Sequence, residues 1–471
     1  MIRAAIAGVL LTLACVWAGG AIARDVLRSK QGDFADWLPE GHLTSRPCNE
    51  IPTRPPLSLG VVIEEVLCHD PLTRQAWAEA RALAAQVGVA RSAYLPRLGA
   101  SSAITFARNH TNYKQMEDYS TEGYQRRLEN RLNLSWVLFD FGRREATLRN
   151  AHQLLVAANA SKDSQLQQTF MQVAQLYYYT LAAQDSQRAA QQVTALAAEN
   201  LKDASAKYEA GAAALSDCLQ AQTAYTQAML SEVREQGVVR SAQGQIALRM
   251  GLPPETPITL TAGLARVPDR NFVDDVEALL AQASEGHPLL IAARAKLEAA
   301  KATVKQQEAA GRPSISFVAS VSYAQAQQSA AYYGDSRIRD NSVGLQIDIP
   351  LFEGFERTYQ VRSARARVDA SKAELAEVEQ RIALELWASY QALVVETQAL
   401  ETTKKWVEQA VQALQVVQGR YRSGVGSMTE LLNATTAYAS AEQQNIRTLN
   451  NWHVARLRLA ASLGRLGFWT L

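Results

Sequence analysis

Residues 127–140 read Arg-Leu-Glu-Asn-Arg-Leu-Asn-Leu-Ser-Trp-Val-Leu-Phe-Asp. Leu128, Leu132, Leu134, Trp136 and Leu138 fall on one parity; Arg127, Glu129, Arg131, Asn133 and Ser135 fall on the other. Alternation with period two over this length predicts a strand with one apolar and one polar face. The period then changes at once. From Gly142 to Ala210 there is no proline and no further glycine, and Phe170, Val173, Tyr177 and Leu181 keep helical spacing. About 65 residues at roughly 1.5 Å each make a rod of about 100 Å.

The passage occurs twice. Asp70-Pro71 and Leu95-Pro96 recur as His287-Pro288 and Arg312-Pro313, an offset of 217. Leu138-Phe139-Asp140 recurs as Leu351-Phe352-Glu353, and Tyr208-Glu209-Ala210-Gly211 as Tyr421-Arg422-Ser423-Gly424, at an offset of 213. The first copy therefore carries four extra residues between Pro96 and Phe139. A period this long is a duplicated module, not a solenoid repeat.

Each module has the same order. Residues 58–94 predict a helix punctuated by Gly60, Pro71 and Gly88. Leu98, Ala100, Ile104 and Phe106 then alternate with Arg97, Ser101 and Thr105, and a polar stretch leads to the return strand. In the second copy Ile315, Phe317, Ala319, Val321 and Tyr323 form one apolar face, and Val343, Leu345, Ile347, Ile349 and Leu351 another. The second long helix runs from Glu356 to Ser423, with Leu375, Val378, Ile382 and Leu386 on its stripe. Gly211 and Gly424 end the long helices as C-cap glycines do. Return helices follow, ending near Gly251 and Gly464, with about half the length of the rods, as have the helices before the strands. Two half-length helices stacked end to end match one rod. The division is a signal peptide at 1–23, an N-terminal extension at 24–57, repeat 1 at 58–251 with a β-hairpin at 97–140, a proline-rich linker at 252–275, and repeat 2 at 276–471 with a β-hairpin at 314–352.

Arg3, the apolar run Ala4–Trp17 and Ala21-Ile22-Ala23 read as a secretory signal with a mature start near Arg24. The run is short for a spanning helix. Thr12-Leu13-Ala14 before Cys15 fits a lipidation site poorly. In the oxidising compartment that a Gram-negative host implies, Cys48 and Cys68, which flank the proline-rich stretch Ile51–Pro56, are expected to form a disulfide. Cys218 is left as a small packing residue on a helix. The net charge of +2 gives no basic footprint for nucleic acid. The six histidines show no metal spacing, and there is no phosphate loop or nucleophile elbow. The chain reads as no enzyme and calls for no cofactor and no metal.

No second stretch is apolar enough for a spanning helix, so any span comes from strands. Four long two-faced strands behind a signal peptide favour a transmembrane barrel, lipid outside and water inside, over a soluble sheet. Four strands cannot close a barrel, and an open edge in lipid is not tolerated. The chain must oligomerise. Arg127, Glu129 and Arg131 pointing one way fit a wide, water-filled lumen and favour three copies over two.

These features resemble the TolC family of outer-membrane channel-tunnels. The resemblance rests on the duplicated helix–hairpin–helix–helix unit, the Asp70-Pro71 and His287-Pro288 starts, the strand ends at Asp140 and Glu353, and Tyr421-x-x-Gly424 followed by Thr429-Glu430-Leu431-Leu432-Asn433-Ala434-Thr435. It implies an α+β membrane protein, a homotrimer with a 12-stranded transmembrane β-barrel continuous with a long periplasmic α-helical barrel. It implies a periplasmic adaptor and an inner-membrane transporter as partners, and outer-membrane lipid around the strands. The family's gate maps to Glu430 and Asn433. The second departs from the family's usual Asp, so one acidic ring is expected where the family often has two. The closed-state lock maps to Tyr421 and Asp217, with Ser216 beside it. A basic residue that adds a lock in some members is Gly426 here. The turn glycines Gly211, Gly424 and Gly426 mark the tips expected to meet the adaptor. The bland alternative makes Glu430 and Asp217 solvated acids near helix N-termini, where acids are favoured anyway.

The function implied is an outer-membrane exit duct, either for one-step (type I) protein secretion or for drug or metal efflux. The poor lipidation site leans toward secretion. A periplasmic coiled-coil scaffold without a channel is the reading from another class.

Overall fold

The structure is a computed structural model that describes residues 56–111, 121–261, 286–328 and 335–464. The signal segment, the extension up to residue 55, the linker from 262 and residues 276–285 lie outside the described residues.

The first repeat begins with α1 (Leu59–His69) and α2 (Pro71–Ser92). The expected single helix is broken between them, at Asp70-Pro71 and not at the glycines. Proline has no N–H to donate and is tolerated only in a first helical turn. Asp70 is extended, and its Oδ2 accepts from the Thr73 N–H at 3.0 Å. Strands β1 (Arg97–Thr111) and β2 (Thr121–Phe139) follow, then α3 (Arg143–Glu209) and α4 (Leu215–Arg249). The second repeat gives α5 (Pro288–Ala309), β3 (Ser314–Gln328), β4 (Ser336–Asp348), α6 (Glu356–Arg422) and α7 (Met428–Ser462). Both rods have 67 residues, close to the expected length. Strand β4 stops at Asp348, short of the expected 352. Pro350 cannot continue the ladder, so Ile349 and Leu351 lie outside the strand although they keep its alternation.

The strands form one antiparallel sheet in the order β1-β2-β3-β4. Register puts Ile104 opposite Leu128, Leu132 opposite Val321, and Ala319 opposite Val343, so the apolar parities of all four strands share one face. Phe106 is 75% exposed on that face and Val343 74%. A sheet this apolar and this uncovered fits lipid and not water. On the opposite face Arg127 and Arg131 both pair with Glu129. Among the described residues no helix is long and apolar enough to cross a membrane.

Strand meets rod at a tight joint. A bulge between Val137 and Phe139 leaves strand-end carbonyls unpaired by the ladder. Arg144 answers them, donating to Val137 O at 2.6 Å and Leu138 O at 3.1 Å while Nε holds Asp140 at 3.0 Å. Arg357 pairs with Glu353 at the equivalent place, at 2.8 Å.

The rods organise the rest. Helices α2, α4, α5 and α7 pack on α3, and α5 and α7 also pack on α6. Helices α2 and α4, of 22 and 35 residues, lie end to end along one rod. Their junction is closed by Arg249 Nη1, which holds Asp70 Oδ1 at 3.2 Å. In the second copy a Cβ on Gly464 would lie 2.9 Å from His287 Cα, so the end of α7 abuts the start of α5. The largest core sits at this mid-height. Val62, Ile63 and Val66 of α1 pack on Leu166, Phe170 and Tyr177 of α3 and on Ile246 and Met250. Leu57 forms a parallel bridge with Leu260, and the Tyr177 hydroxyl, at 2.6 Å from Thr261 O and 3.1 Å from Leu57 O, fastens it. The last residues of the N-terminal extension thus brace the tube wall against the start of the linker.

Candidate functional site: the helical tips

The tips lie at the ends of the rods farthest from the sheet. The α3–α4 turn is Ala210–Ala214 and the α6–α7 turn is Ser423–Ser427. Each rod ends in a glycine with positive φ, +70° at Gly211 and +82° at Gly424, where an L side chain is disfavoured. Gly424 N–H donates to Tyr421 O at 3.1 Å, and Val425 N–H to Arg420 O at 3.0 Å, closing a Schellman-type cap.

Gly426 has a different constraint. A Cβ there would stand 3.0 Å from Tyr421 N and 3.2 Å from Arg420 C, so the turn folds back closely onto its own helix end and a side chain would have to push it away by a few tenths of an ångström. With no side chain at this position, the tip has no basic lock here.

Tyr421 is the centre of the tip. It is 3% exposed and packs among Ala204 of α3, Ala221 of α4, Leu414 of α6, and Met428 and Leu431 of α7. Lys207 Nζ lies 4.0 Å over its ring and also donates to Tyr421 O. A cation held over a buried ring adds electrostatic attraction to the packing. The Tyr421 hydroxyl is buried without a hydrogen-bond partner. Burial, and next the negative charge of Asp217 and Asp203, push this phenol above its usual range. The structure therefore brings Tyr421 and Asp217 into one electrostatic environment without joining them. Asp217 is half-buried and accepts from Ser216 Oγ at 3.4 Å. Cys218 is free and half-buried, its Sγ 3.6 Å from Ser205 Oγ, so it packs as expected.

Glu430 is exposed in the first turn of α7, where Ser427 Oγ accepts from its backbone N–H at 3.2 Å. Its Oε2 lies 3.7 Å from Arg420 Nη1. Asn433 is exposed one turn on. The acid is thus partnered, which the motif alone did not indicate. Arg422 supplies a second link that sequence reading missed. Its guanidinium pairs with both Glu199 and Asp203 of α3, the latter at 3.3 Å. A helical-spacing search for acids on α3 facing the basic end of α6 is the signal that finds it, because 199 and 203 are one turn apart.

Cys68 is disulfide-bonded. Its expected partner, Cys48, lies outside the described residues.

Comparison with known proteins agrees with this geometry. Residues 62–252 and 279–465 match the family model of outer membrane efflux proteins, once for each repeat. The protein CyaE of Bordetella pertussis is 30% identical over 463 residues, covering 97% of this chain and 95% of its own length. The alkaline protease secretion protein AprF of Pseudomonas aeruginosa is 24% identical over 84% of this chain and 82% of its own. Among solved structures, the outer membrane protein VceC of Vibrio cholerae superposes with a TM-score of 0.72 at 20% identity, covering 86% of this chain and 96% of that one.

Proposed function

The chain belongs to the outer membrane efflux protein family, and from that premise we propose that its cargo is protein, delivered in one step by an ABC-type transporter of the inner membrane through a periplasmic adaptor. The protein is an outer-membrane exit duct, a homotrimer whose strands build a 12-stranded barrel and whose helices continue as a periplasmic tube. The observation that carries the protein-cargo reading is the match over 84% of the chain to AprF, a protein named for protease secretion. The family's description as efflux proteins keeps small-molecule export as the second reading. Deleting the gene and profiling the culture medium separates the two. Loss of a secreted protein with unchanged drug and metal tolerance supports secretion; the reverse outcome supports efflux.

The same reading places the gate at the tips. Three copies of Glu430, with Asn433 beside them, ring the pore, and a ring of carboxylates concentrates cations and repels anions. Arg420 holds each Glu430 and moderates that field. The lock is Tyr421 with Asp217 and Ser216. The buried hydroxyl has everything needed for a hydrogen bond except an acceptor within reach, and Asp217 is the acid whose charge it already feels. Gly211, Gly424 and Gly426 shape the surface the adaptor meets. Cys48 and Cys68 close the N-terminal arm onto α1.

Single-channel conductance of the purified trimer in a planar bilayer tests the gate. Glu430→Ala abolishes cation selectivity, and Arg420→Ala increases it by unmasking the acid. Selectivity unmoved by either change removes the gate from Glu430 and leaves the duct.

A further inference from the structure

The barrel has two membrane interfaces, and its lipid-facing surface treats them differently. Toward the helices the outward positions of the strands are Leu98, Trp136, Leu138, Ile315 and Ile347, all uncharged. Aromatic rings follow just beyond, with Phe139 against Phe141 at 4.7 Å and Phe352 against Phe355 at 5.6 Å. That is an ordinary aromatic girdle. At the hairpin end the same face carries arginines. Arg126 lies opposite Phe106 in the ladder and outside Leu128; Arg339 lies opposite Tyr323, and Arg337 opposite Gln325. The guanidinium of Arg126 stands 5.8 Å from the Phe106 ring centroid, and that of Arg339 is 5.7 Å from Tyr323.

Depth fixes what these groups meet. From Leu128 to Leu138, at roughly 3.3 Å per residue and a tilt near 40°, β2 rises about 25 Å, the height of a barrel's apolar band. Arg126 therefore stands one outward position above the hydrocarbon, at headgroup level. Along the ladder Arg337 is level with Leu128 and Arg339 with Asn130, at the upper edge of the band, from which a long arginine side chain reaches up to the headgroups. The helices are periplasmic, so this is the outer leaflet. A depression of about 460 Å³ opens there, lined by Phe106, Tyr124, Arg126, Gln327 and Asp335 among others. Asp335, which accepts from Gln327 Nε2 at 3.5 Å, is the acid in this lining, against the arginine Arg126 beside it and Arg108.

We propose that this arginine–aromatic collar is a binding site for the phosphorylated glycolipid headgroups of the outer leaflet, with Arg126, Arg337 and Arg339 as phosphate ligands. Arginine presents a fork that fits phosphate oxygens two at a time. The rings hold the guanidinium planes at the interface, where a bare aromatic belt would need no cation. In the sheet order β4 is an edge, as is β1. Closing the trimer brings Arg337 and Arg339 beside the next copy's β1, so each seam repeats the site.

Native mass spectrometry of the intact detergent-solubilised trimer tests this, with diphosphoryl lipid A, its dephosphorylated form, phosphatidylglycerol and inorganic phosphate as probes. The trimer retains diphosphoryl lipid A about tenfold more strongly than the dephosphorylated form, the scale of one charge-assisted hydrogen bond. The combined variant Arg126→Gln, Arg337→Gln, Arg339→Gln loses that preference. Arg131→Gln, on the lumen face, keeps it. Should the combined variant fail to form trimers, Arg126→Gln and Arg339→Gln alone each lower the preference. Equal retention of phosphorylated and dephosphorylated forms overturns the proposal. So does equal retention of phosphatidylglycerol, which would make the collar a general anionic interface, or displacement by inorganic phosphate.

Discussion

Tyr208 and Tyr421 occupy the same place in the two repeats, three residues before the turn glycine, yet Tyr208 is 43% exposed and Tyr421 3%. The residues after the turn explain the difference. Where the second repeat has Met428, fully buried under the ring, the first has Leu215, half exposed. Where the second has Ser427, whose hydroxyl caps α7, the first has Ala214, which makes no side-chain cap. Lys207 of the first tip crosses to cover the ring of the second. Duplication supplied one scaffold; substitutions within about ten residues of each turn made one tip a packed anchor and left the other tip bare.

The largest expected effect breaks that asymmetry. Tyr421→Ala removes a buried ring and destabilises the tip by about 3–5 kcal/mol, whereas Tyr208→Ala stays within about 0.5 kcal/mol. Amide hydrogen exchange over residues 414–431 reads the local loss, and equal protection in the two variants would refute the comparison. Tyr421→Phe sharpens it. The hydroxyl has no partner, so within one chain its removal is neutral or stabilising by about 1 kcal/mol. Wider conductance openings in that variant would show that the hydroxyl bonds Asp217 in the closed trimer.

A second contrast lies at mid-height. Asp70 and His287 hold the same N-cap position, but an acid became an imidazole. His287 Nδ1 accepts from the Leu289 N–H at 3.2 Å, which needs a ring neutral at that nitrogen. Burial, then the Arg381 charge, pushes His287 down from 6.5 to about 4. The folded state therefore disfavours the proton that the unfolded chain accepts below 6.5. The stabilisation is complete above that pH and is lost as pH falls through about 4, by on the order of 3 kcal/mol. Thermal unfolding of the trimer between pH 7 and 4 follows this slope. His287→Asp, which installs the first repeat's residue, flattens it over the part of that window above an ordinary aspartate's range.

Much of this architecture was legible in the residues. The rods were visible because nothing between Gly142 and Ala210 breaks a helix, and the strands because period two cannot be mistaken for period 3.6 over ten residues. Alternation alone carries the last strand on to 352, because Ile349 and Leu351 keep it, while Pro350 removes the donor and the ladder ends at Asp348. At the tip, local motif identified Tyr421, Asp217 and Glu430. Lys207, Arg420 and Arg422 were missed because their roles are set by contacts between helices, 200 residues or more apart for Lys207 with Tyr421 and Arg422 with Glu199. Arg420 with Glu430 is close in sequence but becomes a pair only through the fold-back of the turn after Gly424.

Capping provides a smaller test that runs in both directions. Ser427→Ala removes the hydroxyl that accepts from Glu430 N–H and costs about 1 kcal/mol. Ala214→Ser offers the same group to α4, and its extended backbone at φ −76° and ψ 151° already suits a cap. The expected gain is roughly 0.5–1 kcal/mol, read as slower exchange in the first turn of α4. If Ala214→Ser gains nothing, the difference between the tips lies in packing alone.

The smallest effect concerns charge, and its size separates a strap from a decoration. Arg422 reaches both Glu199 and Asp203, but all three side chains are partly open to water. Exposed pairs contribute about 0.2–1 kcal/mol each and are screened by salt. The first repeat has Glu209 at the matching place, so Arg422→Glu makes the second tip resemble the first and sets like charges against each other. The loss should be about 1 kcal/mol at low salt and shrink by half or more near 1 M, where the screening length is about 3 Å. A salt-independent loss would mean that the arginine stem, packed along α3, does the holding. The tip would then open by unpacking rather than by ion-pair exchange, and an adaptor would need an apolar contact, not a charged one, to release it.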